Sequence, residues 1–507
     1  MSQSRGIAAQ AAPPDQHPIP APVDPATVRA IIVGIMLAMF LSALEQTIVA
    51  PALPSIGRSL SDVENLSWVV TAYLLSTTLA TTLFGKLSDI YGRRALMLIS
   101  VSVFVLGSVA CALAPTLWAL VAARALQGLG GGGILPLAQT VIADILSPRE
   151  RPMVQSYSSV MFMSASILGP VLGGLLTDYI HWSMIFWINL PLGAAALLMT
   201  NRALLRLPRH ERPHQLDIVG AGLMVGAAVA LLLALSWGGS RYDWDSAPIL
   251  GLVGVSALLW ALFVWRLMTA PEPFIPLSMV REPVVGAILV AGFFGIGTII
   301  GLSIFMPLYI ELVLGQSASA SGLTLIAFMG GATIGSLAAG RLLSRLEHYK
   351  RVPVVGLPLG IAMLAILALW PDRFSIMEVA ALLVFGGLGM GTMYPTTTVI
   401  IQNAVLPHEL GTATGTLNFF RQLGGAVVVA VFGAIVLGGL DVHPSGTVVL
   451  ERLSGAGGAA NFAILFRWVF IAAAGFLAAA FVAVLCIVER PLRGPAVRPQ
   501  SAPAAAE

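Results

Sequence analysis

Charge is what this chain has least of. Of its 507 residues, 10% are Asp, Glu, Lys or Arg, against about 25% in water-soluble domains. With 57% hydrophobic residues, it has too little polar surface for a soluble fold and reads as an integral membrane protein. Lysine is nearly missing, with only Lys86 and Lys350 beside abundant arginine and alanine, which suggests a GC-rich bacterial genome. No basic run is interleaved with aromatics, so the net charge of +3 does not point to nucleic acid. The two cysteines, Cys111 and Cys486, lie in apolar stretches and supply neither a disulfide framework nor a zinc pattern. The seven histidines, His17, His181, His210, His214, His348, His408 and His443, fall in loops and tails. They build no nucleophile–base pair and no metal-ligand set, which argues against an enzyme. The glycine run Gly130 to Gly133 lacks the Gly-Lys-Ser/Thr ending of a phosphate-binding loop, so neither nucleotide nor other cofactor is expected.

What the chain has instead is apolar length. A membrane helix needs about 20 apolar residues, and segments of that kind are expected near 30–53, 66–84, 95–114, 117–143, 153–177, 183–204, 217–237, 247–268, 284–311, 320–342, 353–370, 376–402, 411–438 and 463–488. The fold class is therefore all-α integral membrane, with about fourteen transmembrane helices. Trp68, Trp118, Trp182, Trp237 and Trp370 fall near segment ends, where interfacial aromatics belong. One set of loops holds Lys86, Arg93, Arg94, Arg149, Arg151, Arg202, Arg206, Arg209, Arg212, Arg266, Arg281, Arg341, Arg345, Lys350 and Arg351. The opposite set holds Arg58, Arg241, Arg373 and Arg452. The positive-inside rule then puts both termini in the cytoplasm of a multi-pass cell-membrane protein. Residues 1–28, rich in Pro, Ala and Gln, read as a disordered cytoplasmic tail. The first apolar segment starts too late and runs too long for a cleaved secretory signal.

The first segment carries the feature that organises the rest, a single carboxyl group at Glu45 more than halfway along Ile31 to Pro54. Ionised at mid-bilayer it would cost roughly 2.5–3.5 kcal/mol. A protonated state, a cationic partner or a water-filled cavity can offset that. Arg124, several residues inside the fourth segment, is the natural cation. Gln127 and Gly128 share its face at i+3 and i+4. The alternative is an arginine that snorkels to the surface. A carboxyl group held between desolvation and a cation can exchange a proton, so Glu45 and Arg124 are the candidate proton-coupling pair.

The chain also repeats itself. Gly85-Lys86-Leu87 is echoed by Gly340-Arg341-Leu342, and Pro148-Arg149-Glu150 by Pro407-His408-Glu409. The shared offset suggests two six-helix halves, 29–204 and 284–488, in parallel repeat. Residues 217–268 then form two inserted helices, read as a plain linking hairpin between linkers 205–216 and 269–283, and 489–507 form a second cytoplasmic tail. In the fifth segment Ala165, Gly169, Gly173 and Thr177 recur every four residues, as do Ala327, Gly331, Gly335 and Ala339 in the tenth. Such stripes let helices approach closely.

Several motifs carry a resemblance. The loop Gly85-Lys86-Leu87-Ser88-Asp89-Ile90-Tyr91-Gly92-Arg93-Arg94 resembles the helix 2–3 signature of the major facilitator superfamily. Arg124-Ala125-Leu126-Gln127-Gly128 is similar to its Arg-x-x-Gln-Gly motif, and Gly169-Pro170-Val171-Leu172-Gly173-Gly174 to its antiporter motif. Leu44 to Pro54, Phe186 to Gly193, and Gly411 to Gly425 resemble the fourteen-helix drug:proton antiporter branch. The resemblance covers nearly the whole chain outside the tails. It implies two pseudo-symmetric six-helix bundles, with the fifth helix facing the tenth across their interface so that the two small-residue stripes slide there. It implies a gating role for Gly85, Asp89, Gly92, Arg93 and Arg94, and an interfacial one for Gly169, Pro170, Gly173 and Gly174.

The function implied is a secondary-active exporter that exchanges H+ for a small molecule, hydrophobic and neutral or cationic, in the manner of multidrug efflux and antibiotic resistance. A monomer in a lipid bilayer is expected, with the proton gradient as energy source. Helix phase and family position place Gln46, Gln127, Phe162, Asn418, Phe419 and Arg421 around the substrate. Glu311, at the outer end of the ninth segment, reads either as a second titratable site or as an ordinary solvated helix end. Glu378 reads as solvated, and Asp144 as a brace for the arginine-rich loops. Two other functions stay open: export of a native lipid, siderophore or metabolite with drug efflux as a side activity, and a non-transporting membrane sensor or enzyme.

Overall fold

The computed structural model describes residues 25–62, 65–204, 217–239, 241–346, 348–438 and 458–489. The expected tails lie almost wholly outside these residues, as does the 205–216 linker. The described chain is built from fourteen long helical segments, with no strand among the described residues. They are α1 (Pro25–Ile48), α2 (Ser67–Tyr91), α3 (Arg93–Ala112), α4 (Leu117–Ile145), α5 (Arg151–Tyr179), α6 (Asn189–Leu204), α7 (Ile218–Trp237), α8 (Ala247–Thr269), α9 (Pro283–Leu312), α10 (Ala318–Arg345), α11 (Arg351–Leu369), α12 (Ile376–Gly391, continued by Met393–Ala404), α13 (Leu410–Gly438) and α14 (Gly458–Leu485). Short helices at Leu53–Leu60, Met184–Trp187 and Leu277–Arg281 fill connections. The last falls in what the sequence suggested was a plain linker.

Helix ends follow local chemistry. Pro25 opens α1 four residues before the expected boundary; its fixed φ and missing N–H suit a first turn. Thr116 caps α4 by accepting from the Ala119 N–H at 3.2 Å, and Ser317 caps α10 through Ala320. Ser375 and Glu378 form a reciprocal capping box at the start of α12, which accounts for that acid.

Thirteen segments are long and apolar enough to cross a membrane by length and composition. The exception is α4, which carries Arg124, Gln127 and the four-glycine run. Those glycines serve packing. A Cβ on Gly130 would run into the Phe104 backbone of α3, and one on Gly132 into the Thr77 carbonyl of α2. Here α4 lies flush against both neighbours.

Helices α1–α6 form one bundle and α9–α14 the other. The second has a single continuous core reaching from Val284 to Ile487, into which Met224 of α7 and Phe263 and Leu267 of α8 also pack. The first has two. One, around Ile35, Met97 and Ile142, lies toward the end where the basic loops gather; the other, around Ile48, Leu120 and Phe186, lies toward the opposite end. A polar layer separates them. The inserted α7 packs on α2 of one bundle and α13 of the other. Ala228 sits with Phe419 and Leu423, flanked by Leu79, Leu231 and Trp260. The pair is therefore seated on the seam between bundles and is more than a linking hairpin. Arg266 of α8 pairs with Asp217, the cap of α7, at 3.1 Å.

The bundles meet along α2–α13 and α5–α10, the second as the resemblance implies, but the small-residue stripes do not make that second contact. Gly169 and Gly173 face Thr47 and Ile48 of α1, inside their own bundle. Gly331 and Gly335 face the Val384 and Leu388 carbonyls of α12, inside theirs. The seam is built from the neighbouring faces: Ser159 donates to or accepts from Ser336 at 2.7 Å, Thr333 donates to the Ser159 carbonyl, and Gly340 abuts Pro152 and Ser156. The stripes are tight static packing, because a carbonyl filling the space a Cβ would take leaves no room to slide. Pro170 is exposed, and Gly174 has open space where a Cβ would go.

This assignment predicts opposite outcomes for two adjacent glycines. Gly173→Ala is expected to destabilise the protein by about 1–3 kcal/mol, as overpacking does, read as a lower melting temperature in detergent. Gly174→Ala is expected to leave the melting curve unchanged.

Candidate functional site

The layer that divides the first bundle's core is a closed set of polar side chains. Glu45 of α1 has no exposed surface and Arg124 of α4 is 2% exposed. Arg124 Nη1 donates to Glu45 Oε1 and, at 2.6 Å, to Gln127 Oε1; its Nε donates to the Val69 carbonyl at 3.1 Å. Asn189 Nδ2, at the start of α6, donates to the other carboxylate oxygen at 2.6 Å. Ser108 of α3 accepts from Gln127 at 2.8 Å and from Asn189 at 3.2 Å. The guanidinium lies 4.2 Å from the Tyr73 ring centroid, a cation–π contact in a desolvated setting. Both carboxylate oxygens and the cation are thereby satisfied, the condition under which a buried ion pair is tolerated.

Arg124 sits seven residues into α4 from the end opposite the basic loops, about 10 Å at 1.5 Å per residue. The pair does not face a cavity between the bundles, as the sequence suggested. It is enclosed by α1, α2, α3, α4 and α6, because Arg124 and Gln127, three apart, share the α4 face that turns inward. Asn189 and Ser108 are partners the sequence reading did not assign. A lone amide just after the break at Ile188, among apolar neighbours, was the available signal.

The basic end holds a second constellation. Asp89, in the last turn of α2, accepts from the Gly411 N–H at 3.0 Å and from the Thr412 N–H and hydroxyl at 2.7 Å. These are free donors of the first turn of α13, where an anion is favoured. Arg93 holds Asp89 at 2.5 Å and Asp144 at 3.0 Å, so Asp144 braces as expected. Gly85 lies so close to Gly411 that neither could carry a side chain without displacing backbone. Gly92 adopts φ 88° to turn from α2 into α3, and Arg94 binds Asn201 at 2.6 Å. One carboxylate thus ties the two bundles together and closes the seam at this end.

A third polar cluster crosses the seam between the clamp and the middle of the helices. Gln139 of α4 donates to Tyr394 Oη at 3.0 Å and accepts from Asn418 at 2.6 Å; its carbonyl accepts from Gln155 and Gln402. Phe162 reaches the Tyr394 ring at 6.3 Å between centroids. Of the expected lining residues, Asn418, Arg421 and Phe162 meet here. Gln127 belongs to the Glu45 layer, Gln46 is exposed with its amide on the Ser42 carbonyl, and Phe419 faces Trp260 of the inserted pair. Phe419 diverges because Asn418 and Arg421 are three apart on one face of α13, and Phe419 lies about 100° off it. Glu311 is exposed and accepts from Ser321 at 2.7 Å.

The sequence profile described as Major Facilitator Superfamily matches residues 35–218 and 205–429. The chain belongs to the major facilitator superfamily. Relatives that it matches are named as transporters. It is 36% identical over 411 residues to an uncharacterized MFS-type transporter of Mycobacterium tuberculosis, an alignment covering 81% of this chain and 60% of that one. It thus spans less than two thirds of that relative's length. It is 32% identical to two Bacillus subtilis proteins, Multidrug resistance protein 3, covering 81% of this chain and 80% of that one, and the multidrug transporter protein MdtP, covering 83% and 77%. Among solved structures it resembles the human organic anion transporter MFSD10 (TETRAN), at TM-score 0.62 and 18% identity over 90% of this chain and 100% of that one. A bacterial homologue of the iron transporter ferroportin in an outward-facing state gives TM-score 0.62 at 12% identity, over 90% of this chain and 99% of that one.

Two outcomes test this geometry. Arg124→Ala leaves a buried carboxylate unpaired and is expected to cost about 3–5 kcal/mol, while the double variant Glu45→Gln/Arg124→Gln recovers much of that in a melting experiment. Asp89→Asn removes the charge that holds α13, so a cysteine placed at Thr81, buried in that seam, is expected to react faster with a water-soluble maleimide in a Cys486→Ala background.

Proposed function

We propose that this transporter exports hydrophobic small molecules in exchange for protons, by alternating access between its two bundles, with Glu45 as the proton carrier. The observation that carries the reading is that Glu45, alone among the carboxylates of the described residues, has no exposed surface and is held by a cation. Protonation would remove the charge that holds Arg124 and loosen α1 from α4. Two residues on, Thr47 donates to the Ala165 carbonyl of α5 at 2.9 Å, and α5 carries the Ser159–Ser336 contact to α10. A change at Glu45 therefore has a short packed route to the seam, with α1 and α5 as the elements that move.

The positive-inside rule makes the basic end cytoplasmic, in a bacterial cell membrane with both termini inside. The Asp89 clamp then closes the cytoplasmic side, and the Glu45 layer lies nearer the outside, where the proton is taken up. Opening at the clamp would expose substrate to the cytoplasm and release the proton there. The two relatives named as multidrug proteins support a hydrophobic cargo and a broad substrate range.

The test is Glu45→Gln in membrane vesicles with an imposed pH gradient, following efflux of a hydrophobic dye. Gradient-driven transport is expected to fall to the level of protein-free vesicles. Undiminished transport would remove Glu45 from coupling.

A further inference from the structure

A charge remains unanswered in the second bundle. Arg421, in the middle of α13, is 3% exposed, and among the described residues no carboxylate pairs with it. Its four hydrogen bonds all go to neutral oxygens: Asn418 Oδ1 at 3.1 Å, the Tyr394 carbonyl at 3.0 Å, Thr397 Oγ1 at 2.6 Å and Thr398 Oγ1 at 2.8 Å. The Tyr394 ring lies 4.5 Å from the guanidinium carbon. Its Nε–H is buried with no acceptor. Gly292 of α9 lies beside this part of the side chain: a Cβ there would stand 2.9 Å from Leu417 Cδ1, 3.6 Å from Arg421 Cγ and 4.0 Å from its Nε. The first bundle follows the opposite rule, because Arg124 is paired with Glu45.

A guanidinium cannot shed its charge, and a buried cation held only by dipoles is costly. Ionisable groups inside a membrane mark substrate and ion pathways. We propose that Arg421 is an anion subsite, which takes a carboxylate of the transported molecule or a free monovalent anion through the Nε edge beside Gly292. This deepens the proposed export function and rests on it for the word transported. It also shifts the expected cargo away from simple cations and toward amphipathic molecules that carry a negative group.

The neighbours of Arg421 make the site informative to the rest of the protein. Asn418 accepts from Arg421 and donates to Gln139 of the other bundle, and Tyr394 lends Arg421 its carbonyl while its hydroxyl accepts from Gln139. An anion that draws the guanidinium toward α9 loosens the groups that tie the bundles together around Gln139. Occupancy would then favour separation of the seam.

The experiment uses the purified full-length chain in detergent, with no gradient, so it is read independently of proton coupling. Melting temperature is followed with 1-naphthoate against its uncharged amide, and with chloride against gluconate at equal ionic strength. A concentration-dependent rise with naphthoate but not the amide, lost in Arg421→Gln and partly kept in Arg421→Lys, is the expected result and assigns the site to a substrate carboxylate. A rise with chloride over gluconate alone, again lost in Arg421→Gln, supports the subsite and assigns it to a free anion. Equal effects of naphthoate and amide together with equal effects of chloride and gluconate in the wild-type chain overturn the proposal, whether or not the variants fold. So does a charge-dependent rise that Arg421→Gln retains.

Discussion

An ion pair removed from water must be satisfied on every side or it does not form, and the first bundle is arranged to meet that demand. Glu45 and Arg124 recruit one partner each from three further positions: Asn189 from the break before α6, Gln127 from one turn along α4, and the Val69 carbonyl from the start of α2. Ser108 ties two of those partners together. The consequence is visible in the apolar packing. The second bundle has one core, whereas the first is split into two at the level of these side chains. A split core is a natural plane of weakness, because the dispersion contacts that would otherwise cross it are replaced by hydrogen bonds around an ionisable carboxyl group.

The glycines perform a complementary task. Where α4 presses on α2 and α3, where α5 presses on α1, and where α10 presses on α12, a backbone atom occupies the space of the absent Cβ. Helices joined this way move as units. Contacts between the bundles are of another kind: hydroxyls and amides such as Ser159–Ser336, Thr78–Gln422 at 2.9 Å and Gln139–Tyr394, together with the Asp89 clamp. These can exchange one partner for another, or for water, at small net cost, since an intramolecular hydrogen bond contributes only about 0.5–1.5 kcal/mol net. Rigid bundles separated by an exchangeable seam are what a rocking transporter requires. Close glycine contacts across the seam gather toward the basic end, Gly85 on Gly411 beside the clamp, Gly415 on the Thr81 carbonyl and Gly340 on Pro152.

Much of this was legible beforehand, for reasons that differ from residue to residue. All fourteen helices could be located because a bilayer imposes a length on every crossing, and even the glycine-rich α4 stands between recognisable neighbours. Glu45 and Arg124 stood out because a charge inside an apolar run has few innocent explanations. Which way each helix faces was not legible. A stripe of small residues announces close packing, yet Gly169 and Gly173 could have met α10 or α1 equally well on sequence alone. Phe419 was misplaced for the same reason, since no sequence pattern showed that an inserted helix would cover that side of α13. Asn189 lies inside the Phe186 to Gly193 stretch without standing out, because an amide has no charge to justify and its value appears only with a carboxylate 2.6 Å away.

The two buried arginines show why orientation carries so much of the function. Arg124 and Arg421 occupy α4 and α13, one in each bundle, and each is stacked near a tyrosine ring, Tyr73 at 4.2 Å and Tyr394 at 4.5 Å. They differ in what completes them. Arg124 has an acid within its own bundle, so its charge is answered internally and the open question is a proton. Arg421 has only dipoles, so its charge calls for a partner that arrives and leaves. Because Gln139 of the first bundle holds both Asn418 and Tyr394, a change around Arg421 is felt across the seam without any contact to Glu45. On the proposed reading, proton and cargo bias the same separation of the bundles from two places, and exchange of one for the other needs no shared binding site.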